Sequence, residues 1–272
     1  MIAEADVRHW QEWTGRSEMR SERLDIAAAR RFAAATGQDL DVAAHAPALA
    51  HWAFFLPVAT VDEVGEDGHP KRGGFLPPVT LPRRMFAAAE MEFVAPLDLD
   101  QAAELTSTVV SVTHKSGQSG ELVFVEVARV LAQQGGARVR EKQTIVYRGA
   151  GAPIAPLAPA AAAPQGEAWT PATTDLFRFS AATFNTHRIH YDLPYARDVE
   201  GYPDLVVQGP LLATKLCALA RRTAGRPLTR FSFRAQAPVF VSQPVAFVAD
   251  RSSQEVKVVR CDGAAAMTAT YS

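Results

Sequence analysis

Four side chains able to bind groups or move protons fall within six positions: Asn185, His187, Arg188 and His190, in the stretch F-R-F-S-A-A-T-F-N-T-H-R-I-H-Y-D at 177–192. Imidazole titrates near neutrality, so histidine is the side chain best suited to take up and return a proton at working pH. The alternation of Phe177 and Phe179 predicts a buried strand running into a polar turn, and loops at strand ends carry function on a rigid support. His187 and His190, with Asp192, also have H-x-x-H spacing. A catalytic zinc site wants further ligands from a regular element, and none is convincing here, so no metal is expected. For His187 the plainer reading is a structural histidine satisfied by partners in its own loop.

The elements that must hold this cluster can be read outward from it. Residues 205–212, L-V-V-Q-G-P-L-L, open a strongly apolar helix (210–222), with Pro210 at a position where a missing N–H gives nothing up. Leu211, Leu212, Leu216 and Leu219 recur at helical spacing and read as core. Strands are predicted at 229–237, 245–249, 256–260 and 265–270. In the first half, residues 47–56 read as a short apolar helix, followed by strands at 91–97, 104–112, 122–131 and 139–147 with Gly-containing turns at 116–120 and 134–136. Residues 4–14 and 22–36 read as short surface helices capped by Gly15 and Gly37, with Trp10 and Trp13 packing on the body. Between 64 and 82 lies a Gly- and Pro-rich loop carrying His69, Lys71 and Arg72, with Arg83 and Arg84 just beyond; a basic lid over an anion and a solvated loop are both compatible with it.

Residues 149–171, almost wholly Ala, Pro and Gly, read as a linker between a first unit at 1–148 and a second at 172–272. Helix-then-strands order on both sides of it, with the echo of Phe93-Val-Ala-Pro-Leu in Ala235-Gln-Ala-Pro-Val, suggests an internal duplication. The plan is α+β, antiparallel sheet wrapped round an apolar helix in each half. A net charge of -1 argues against nucleic acid as a partner. No apolar run reaches spanning length and the N-terminus lacks a signal pattern, so no membrane is expected and a cytoplasmic protein is. Cys217 and Cys261 cannot make a disulfide framework and read as buried thiols.

Four stretches carry a resemblance: His69-Pro-Lys-Arg-Gly-Gly-Phe-Leu-Pro-Pro-Val, Lys115-Ser-Gly-Gln-Ser-Gly-Glu-Leu-Val-Phe-Val, Phe184-Asn-Thr-His-Arg-Ile-His-Tyr-Asp and Glu200-Gly-Tyr-Pro-Asp-Leu-Val-Val-Gln-Gly-Pro-Leu. With them nearly the whole chain resembles the MaoC-like, double-hotdog branch of the 3-hydroxyacyl-thioester dehydratases and enoyl-CoA hydratases. Within that branch it is most similar to the 3-methylfumaryl-CoA (mesaconyl-C4-CoA) and itaconyl-CoA hydratases and to the mitochondrial type-2 dehydratases. The wider family's motif is Asp-x-Asn-Pro-x-His; aligned on its final His, it puts Asn185 where the acid stands and Arg188 where the Pro stands. Gln208-Gly209 replaces the family's His-Gly at the helix start.

The resemblance implies a double hotdog fold and reversible hydration of a C5-dicarboxylic enoyl-CoA. Dehydration in fatty-acid synthesis is the alternative enzyme reading, and a non-catalytic acyl-thioester-binding module the non-enzymatic one. It implies that His190 is base and then acid, that Asn185 (which cannot be a base) holds the water, and that the Gly209 N–H at a helix N-terminus stabilises the enolate oxygen. Gln208 would line the substrate. Arg188 would pair with a second substrate carboxylate, or else with Asp192 or Glu200. Arg72, Arg83, Arg84, Arg230 and Arg234 are candidates for the CoA phosphates. No cofactor beyond the CoA of the substrate is implied, the first half would be non-catalytic, and a homodimer is plausible from the sheet edges.

Overall fold

The computed structural model describes every residue except 1, 44–45, 118–119 and 161–164, so the inner part of the turn at 116–120 and part of the stretch at 149–171 lie outside the described residues. Among the described residues ten strands form one antiparallel sheet: β1 (Ser17–Arg23), β2 (Arg83–Phe93), β3 (Ala102–Gly117), β4 (Gly120–Gln133), β5 (Gly136–Arg148), β6 (Glu167–Trp169), β7 (Arg230–Ala235), β8 (Val245–Asp250), β9 (Glu255–Arg260) and β10 (Ala265–Tyr271). Their order is β1-β3-β4-β5-β2-β7-β10-β9-β8-β6. The two expected half-sheets are therefore joined edge to edge by the pairing of β2 with β7, from Ala88↔Arg234 to Glu92↔Arg230.

Each half keeps one helix against its strands. In the second half α4 (Gly209–Ala224) buries Leu211, Leu212, Leu216, Cys217 and Ala220 along one face. Each buried leucine contributes roughly 1.5–3 kcal/mol of transfer free energy. The helix ends where Gly225 turns left-handed, φ 67, with Arg221 and Arg222 in its last turn. In the first half the corresponding element is α2 (Ile26–Thr36), and two expectations change here. The residues read as a surface helix at 22–36 are split: a strand occupies 17–23, and α2 buries Ala29, Phe32 and Ala33. Its alanines keep its face small, which allows close packing. Residues 47–56 do not form the expected helix; only a 3₁₀ turn, Ala50–Ala53, is made. Leu49 and Phe55 take left-handed φ values of 55 and 54, which an α-helix cannot pass through.

The alternating phenylalanines are also not a strand. Residues 173–183 form α3 (Thr173–Thr183), which buries Leu176 and Phe179, three positions apart on one helical face, and leaves Phe177 exposed. Strands β7 to β10 fall within a residue or two of expectation, whereas β6 lies inside the stretch read as a linker, paired with β8, and β2 begins at Arg83 rather than 91. A large core lies between the helices and the sheet. A smaller one, further along the same side of β3–β5, gathers Trp10, Val109, Val123, Val125 and Tyr147 under α1 (Glu4–Gln11). Cys217 and Cys261 are buried and unpaired, and burial pushes the Cys217 thiol up to about 12. Among the described residues no helix is long and apolar enough to cross a membrane.

Candidate active site

After α3 the chain turns left-handed at Phe184, φ 49. The Asn185 amide oxygen then accepts the His187 N–H at 3.0 Å, a local turn that leads into the 3₁₀ turn Arg188–His190. This loop is pinned from outside by residues 66–68 of the first half. The Arg188 N–H donates to the Asp67 carbonyl at 2.9 Å, the Thr186 hydroxyl to the Gly68 carbonyl, and an Arg188 guanidinium N–H to the Glu66 carbonyl at 3.1 Å. Gly68 is required for so close an approach: its φ is +86, and a Cβ there would stand 1.8 Å from the Thr186 carbonyl oxygen.

His190 is buried, and its Nδ1 lies 2.6 Å from the Val206 carbonyl oxygen. A carbonyl only accepts, so Nδ1 carries the hydrogen and Nε2 is left with a bare lone pair. Burial, then the neighbouring His187, lower the His190 pKa to about 3, against the partial support of the Val206 carbonyl. The ring is thus neutral at working pH, the form a base requires. Val206 is itself tied to Ile189 by an N–H···O bond of 3.0 Å, and it lies three residues before Gly209. Three extended residues span at most ~10 Å, so the ring and the opening of α4 are neighbours. Gln208, at the N-cap of α4, is fully buried and donates its amide to the Leu176 carbonyl (2.9 Å) and to the Ser180 hydroxyl (3.0 Å), locking α3 to α4. Its own side-chain oxygen is buried without a partner. No side chain caps α4, so the Gly209 N–H is a donor that no carbonyl of the helix can take.

His190 forms part of the wall of a cavity of about 350 Å³. Tyr191 and Leu205 lie beside it, and Thr173, Thr174, Phe177 and Arg178 of α3 line the rest. Arg178 makes no hydrogen bond or ion pair among the described residues. Reading 177–179 as a strand hid it; in helical register Thr174 and Arg178 are four apart and share a face.

The other arginines are differently placed. Arg188 is held by Asp192 through two N–H groups, at 2.7 and 3.0 Å, and lies over the Tyr195 ring at 4.1 Å. The intramolecular alternative for Arg188 is the one the structure contains. Arg72 donates to the carbonyls of Val79, Leu81 and Pro82, and Arg83 is buried against Glu200. Both guanidinium groups are committed inside the protein, which leaves them little to offer a phosphate. Arg84 lies near enough to Asp67, His69 and Tyr147 to act on their charges. Arg230 and Arg234 are exposed on β7, on the strand face opposite Phe231 and Phe233, and do not line the cavity.

Two residues unremarked as a pair in the sequence complete the surroundings. The His69 ring lies 4.1 Å from that of His187, centroid to centroid, and its Nδ1 is 3.1 Å from Asp67. His187 is buried, with Nε2 3.3 Å from Glu200, and its ring stands edge-on to His190 at 5.3 Å. Among the described residues no group of side chains is arranged to hold a metal ion.

The family model for hydroxyacyl-thioester dehydratase type 2 matches residues 49–241. The mesaconyl-C(4)-CoA hydratase of Chloroflexus aurantiacus is 43% identical over 272 residues, covering 96% of each chain. Among solved structures, HtdX of Mycobacterium tuberculosis superposes with a TM-score of 0.67 at 16% identity, covering 94% of this chain and 99% of that one. A second Mycobacterium tuberculosis protein, described as having a double hotdog fold, superposes with a TM-score of 0.58 at 12% identity over 95% of each chain. The ten-stranded sheet with a helix packed in each half is that fold.

Proposed function

Since the chain belongs to the hydroxyacyl-thioester dehydratase type 2 family, we propose that it hydrates the double bond of an enoyl-CoA reversibly, and that its preferred acyl group bears a second carboxylate, as in mesaconyl-C4 and itaconyl thioesters. The observation that carries the reading is the hydrogen bond from His190 Nδ1 to Val206, which leaves a neutral Nε2 facing a cavity within a few residues of an uncapped helix N-terminus.

In the forward direction Nε2 takes a proton from water as the water oxygen bonds to Cβ. The π electrons move to the thioester oxygen, which the Gly209 N–H and the positive end of α4 stabilise. The imidazolium then returns its proton to Cα, so that one water is added and the base is regenerated. Asn185 has its amide N–H₂ left to hold the water, since its oxygen is engaged by the His187 N–H. A positioned base of this kind contributes about 10²–10⁴ in rate, and one oxyanion donor about 10²–10³.

For the acyl group, Arg178 is the cation in the cavity with all its donors to spare, and it suits a carboxylate next to the reacting carbons. The test is a panel of crotonyl-, octenoyl-, mesaconyl- and itaconyl-CoA followed by loss of the conjugated double bond. His190→Ala is expected to lose at least ~10³-fold in kcat while retaining acyl-CoA binding; equal turnover by the variant would overturn the role. Arg178→Ala is expected to lose more on the dicarboxylic thioesters than on crotonyl-CoA. Arg188→Ala is expected to lose equally on both.

A further inference from the structure

Asp67 and His69 come from the loop at 64–82, more than a hundred residues before the reactive loop, and line no part of the cavity. They nevertheless sit against its inner side. We propose that Asp67 and His69 are positioning residues of the active site: a clamp supplied by the first half that fixes His187 and, through it, keeps the His190 ring dry and aimed at the cavity. The inference rests on the hydratase reading for its kinetic consequence, not for its structural one.

The geometry restrains His187 from three directions. Glu200, itself paired with Arg83 at 3.6 Å, takes the Nε2 side in the ring plane. His69 covers one face at 4.1 Å, tilted by 40°. His190 meets the ring edge-on, at an interplanar angle of 84°. His69 cannot turn away, because both its backbone N–H (2.9 Å) and its Nδ1 (3.1 Å) are held by the Asp67 carboxylate. That carboxylate only accepts, so His69 Nδ1 carries the hydrogen. Asp67 is partly buried, which favours its neutral form, yet the bonds from His69 and the charge of Arg84 keep its carboxyl well below the usual range. It is therefore a fixed negative charge.

The consequence for His190 follows from desolvation. Burial is the main reason its pKa is low, and the His187 ring, edge-on at 5.3 Å and itself covered by His69, is packed against it on one side. The charged and titratable groups around the stack are Asp67, Arg84 and His187 for His69, Glu200 and Arg83 for His187, and His187 and His69 for His190. Taking the aromatic face from His187 lets that ring move and lets water reach His190, whose pKa then climbs toward the ordinary 6.5.

The experiment follows the histidine titrations by NMR on ¹⁵N-histidine protein, the His190 signal being assigned by its loss in His190→Gln. In the wild type that signal stays that of the neutral Nδ1–H tautomer throughout the mildly acidic range. His69→Gln, of similar bulk and able to keep the Asp67 bond, is expected to raise the His190 midpoint by about one pH unit or more, because desolvation scales with burial. His69→Phe keeps an aromatic ring on His187 and is expected to leave the midpoint low. In turnover assays His69→Gln is expected to lower kcat about tenfold with KM within twofold, as misalignment of a catalytic group does. An unmoved midpoint in folded His69→Gln, or a kcat within twofold of the wild type, overturns the clamp. If the wild type hydrates none of the enoyl-CoA panel, the function falls, and the titration still decides this inference by itself.

Discussion

Gly68→Ala is the sharpest single perturbation of this architecture. The backbone at Gly68 has φ +86, and an L-residue held in the left-handed region costs about 1–2 kcal/mol. The added carbon would stand 1.8 Å from the Thr186 oxygen, 2.8 Å from its carbonyl carbon and 3.1 Å from the Arg188 nitrogen, all backbone atoms that no rotamer can move. Relief requires the two loops to part, which breaks the bonds from Arg188 N, the Thr186 hydroxyl and the Arg188 guanidinium to residues 66–68. At about 1 kcal/mol each these sum to about 3 kcal/mol, and with the strain to about 4–5 kcal/mol. That is enough to favour an undocked loop without unfolding the sheet. Undocking withdraws His69 from His187 and frees the turn that carries His190. Displacing a catalytic group by about 1 Å costs about 10²-fold, so kcat should fall at least that far. Stopped-flow or steady-state hydration, with limited proteolysis of residues 59–82, reads both effects. Gly74→Ala is the control, since a Cβ there meets nothing within 4 Å. If Gly68→Ala keeps activity within threefold of Gly74→Ala and its loop stays uncut, the docking account is wrong.

Acid sensitivity follows from the same cluster. His69 and His190 both have folded pKa values lowered from 6.5 to about 3, chiefly by burial. Between those values the unfolded chain binds protons that the folded chain refuses. Stability is complete above pH 6.5 and falls as the pH drops, by up to roughly 1.4 kcal/mol per pH unit for each imidazole. Thermal melts from pH 7.5 to 4.5 should show Tm falling throughout the acid range, and less steeply in the His69→Gln, His190→Gln double variant; parallel curves would contradict this. In the first half, Glu141 is buried and accepts from Trp52 (2.9 Å) and Gln143 (3.0 Å), with Arg129 at 3.3 Å. Burial alone would raise its pKa, but the His51 and Arg129 contacts hold it at about 2. Glu141→Ala leaves these donors unpaired and should cost about 3–5 kcal/mol in urea unfolding; a cost below 1 kcal/mol would refute the buried-pair account.

What the chain reveals by itself depends on whether the relevant interaction is local. The apolar face of α4 and the strands β7 to β10 are written in short-range periodicity, and both fall where periodicity puts them. The strand β1 carries S-E-M-R-S-E-R, polar on both faces, because it is an edge that pairs on one side only; period-2 reading has nothing to detect there. Phe177 misled for the opposite reason: an exposed aromatic beside a buried one imitates strand alternation, and only Leu176 with Phe179 reveals the helix. His190 and Gly209 could be singled out because the stretches that carry the family resemblance are short and contiguous in the sequence. The clamp could not. Thr186 and Gly68 are 118 residues apart, and Arg188 and Glu66 122 apart, so no window on the sequence brings them together. Arg188 shows how a local feature can still be ambiguous: Asp192, four residues on, was as close in sequence as any substrate group would be in space.

The central helices of the two halves differ at their first residues. Both central helices have a positive N-terminus, yet they differ in what occupies it. At α2 the Asp25 carboxylate accepts the Ala28 N–H at 2.7 Å, so a negative charge of the protein's own satisfies the donor and neutralises the dipole there. At α4 the preceding residue is Gln208, whose amide is turned away to Leu176 and Ser180, and no side chain caps the helix. The dipole is left unanswered at the one end that lies beside a neutral imidazole. A cap of the Asp25 kind stabilises its helix by about 1 kcal/mol, and α4 forgoes it, leaving free the donor that the proposed mechanism assigns to the enolate oxygen. Two halves of one plan thus differ at this point: the first fills its helix terminus and sends His69 across to stack on His187, and the second leaves its terminus uncapped near the histidine proposed as the base.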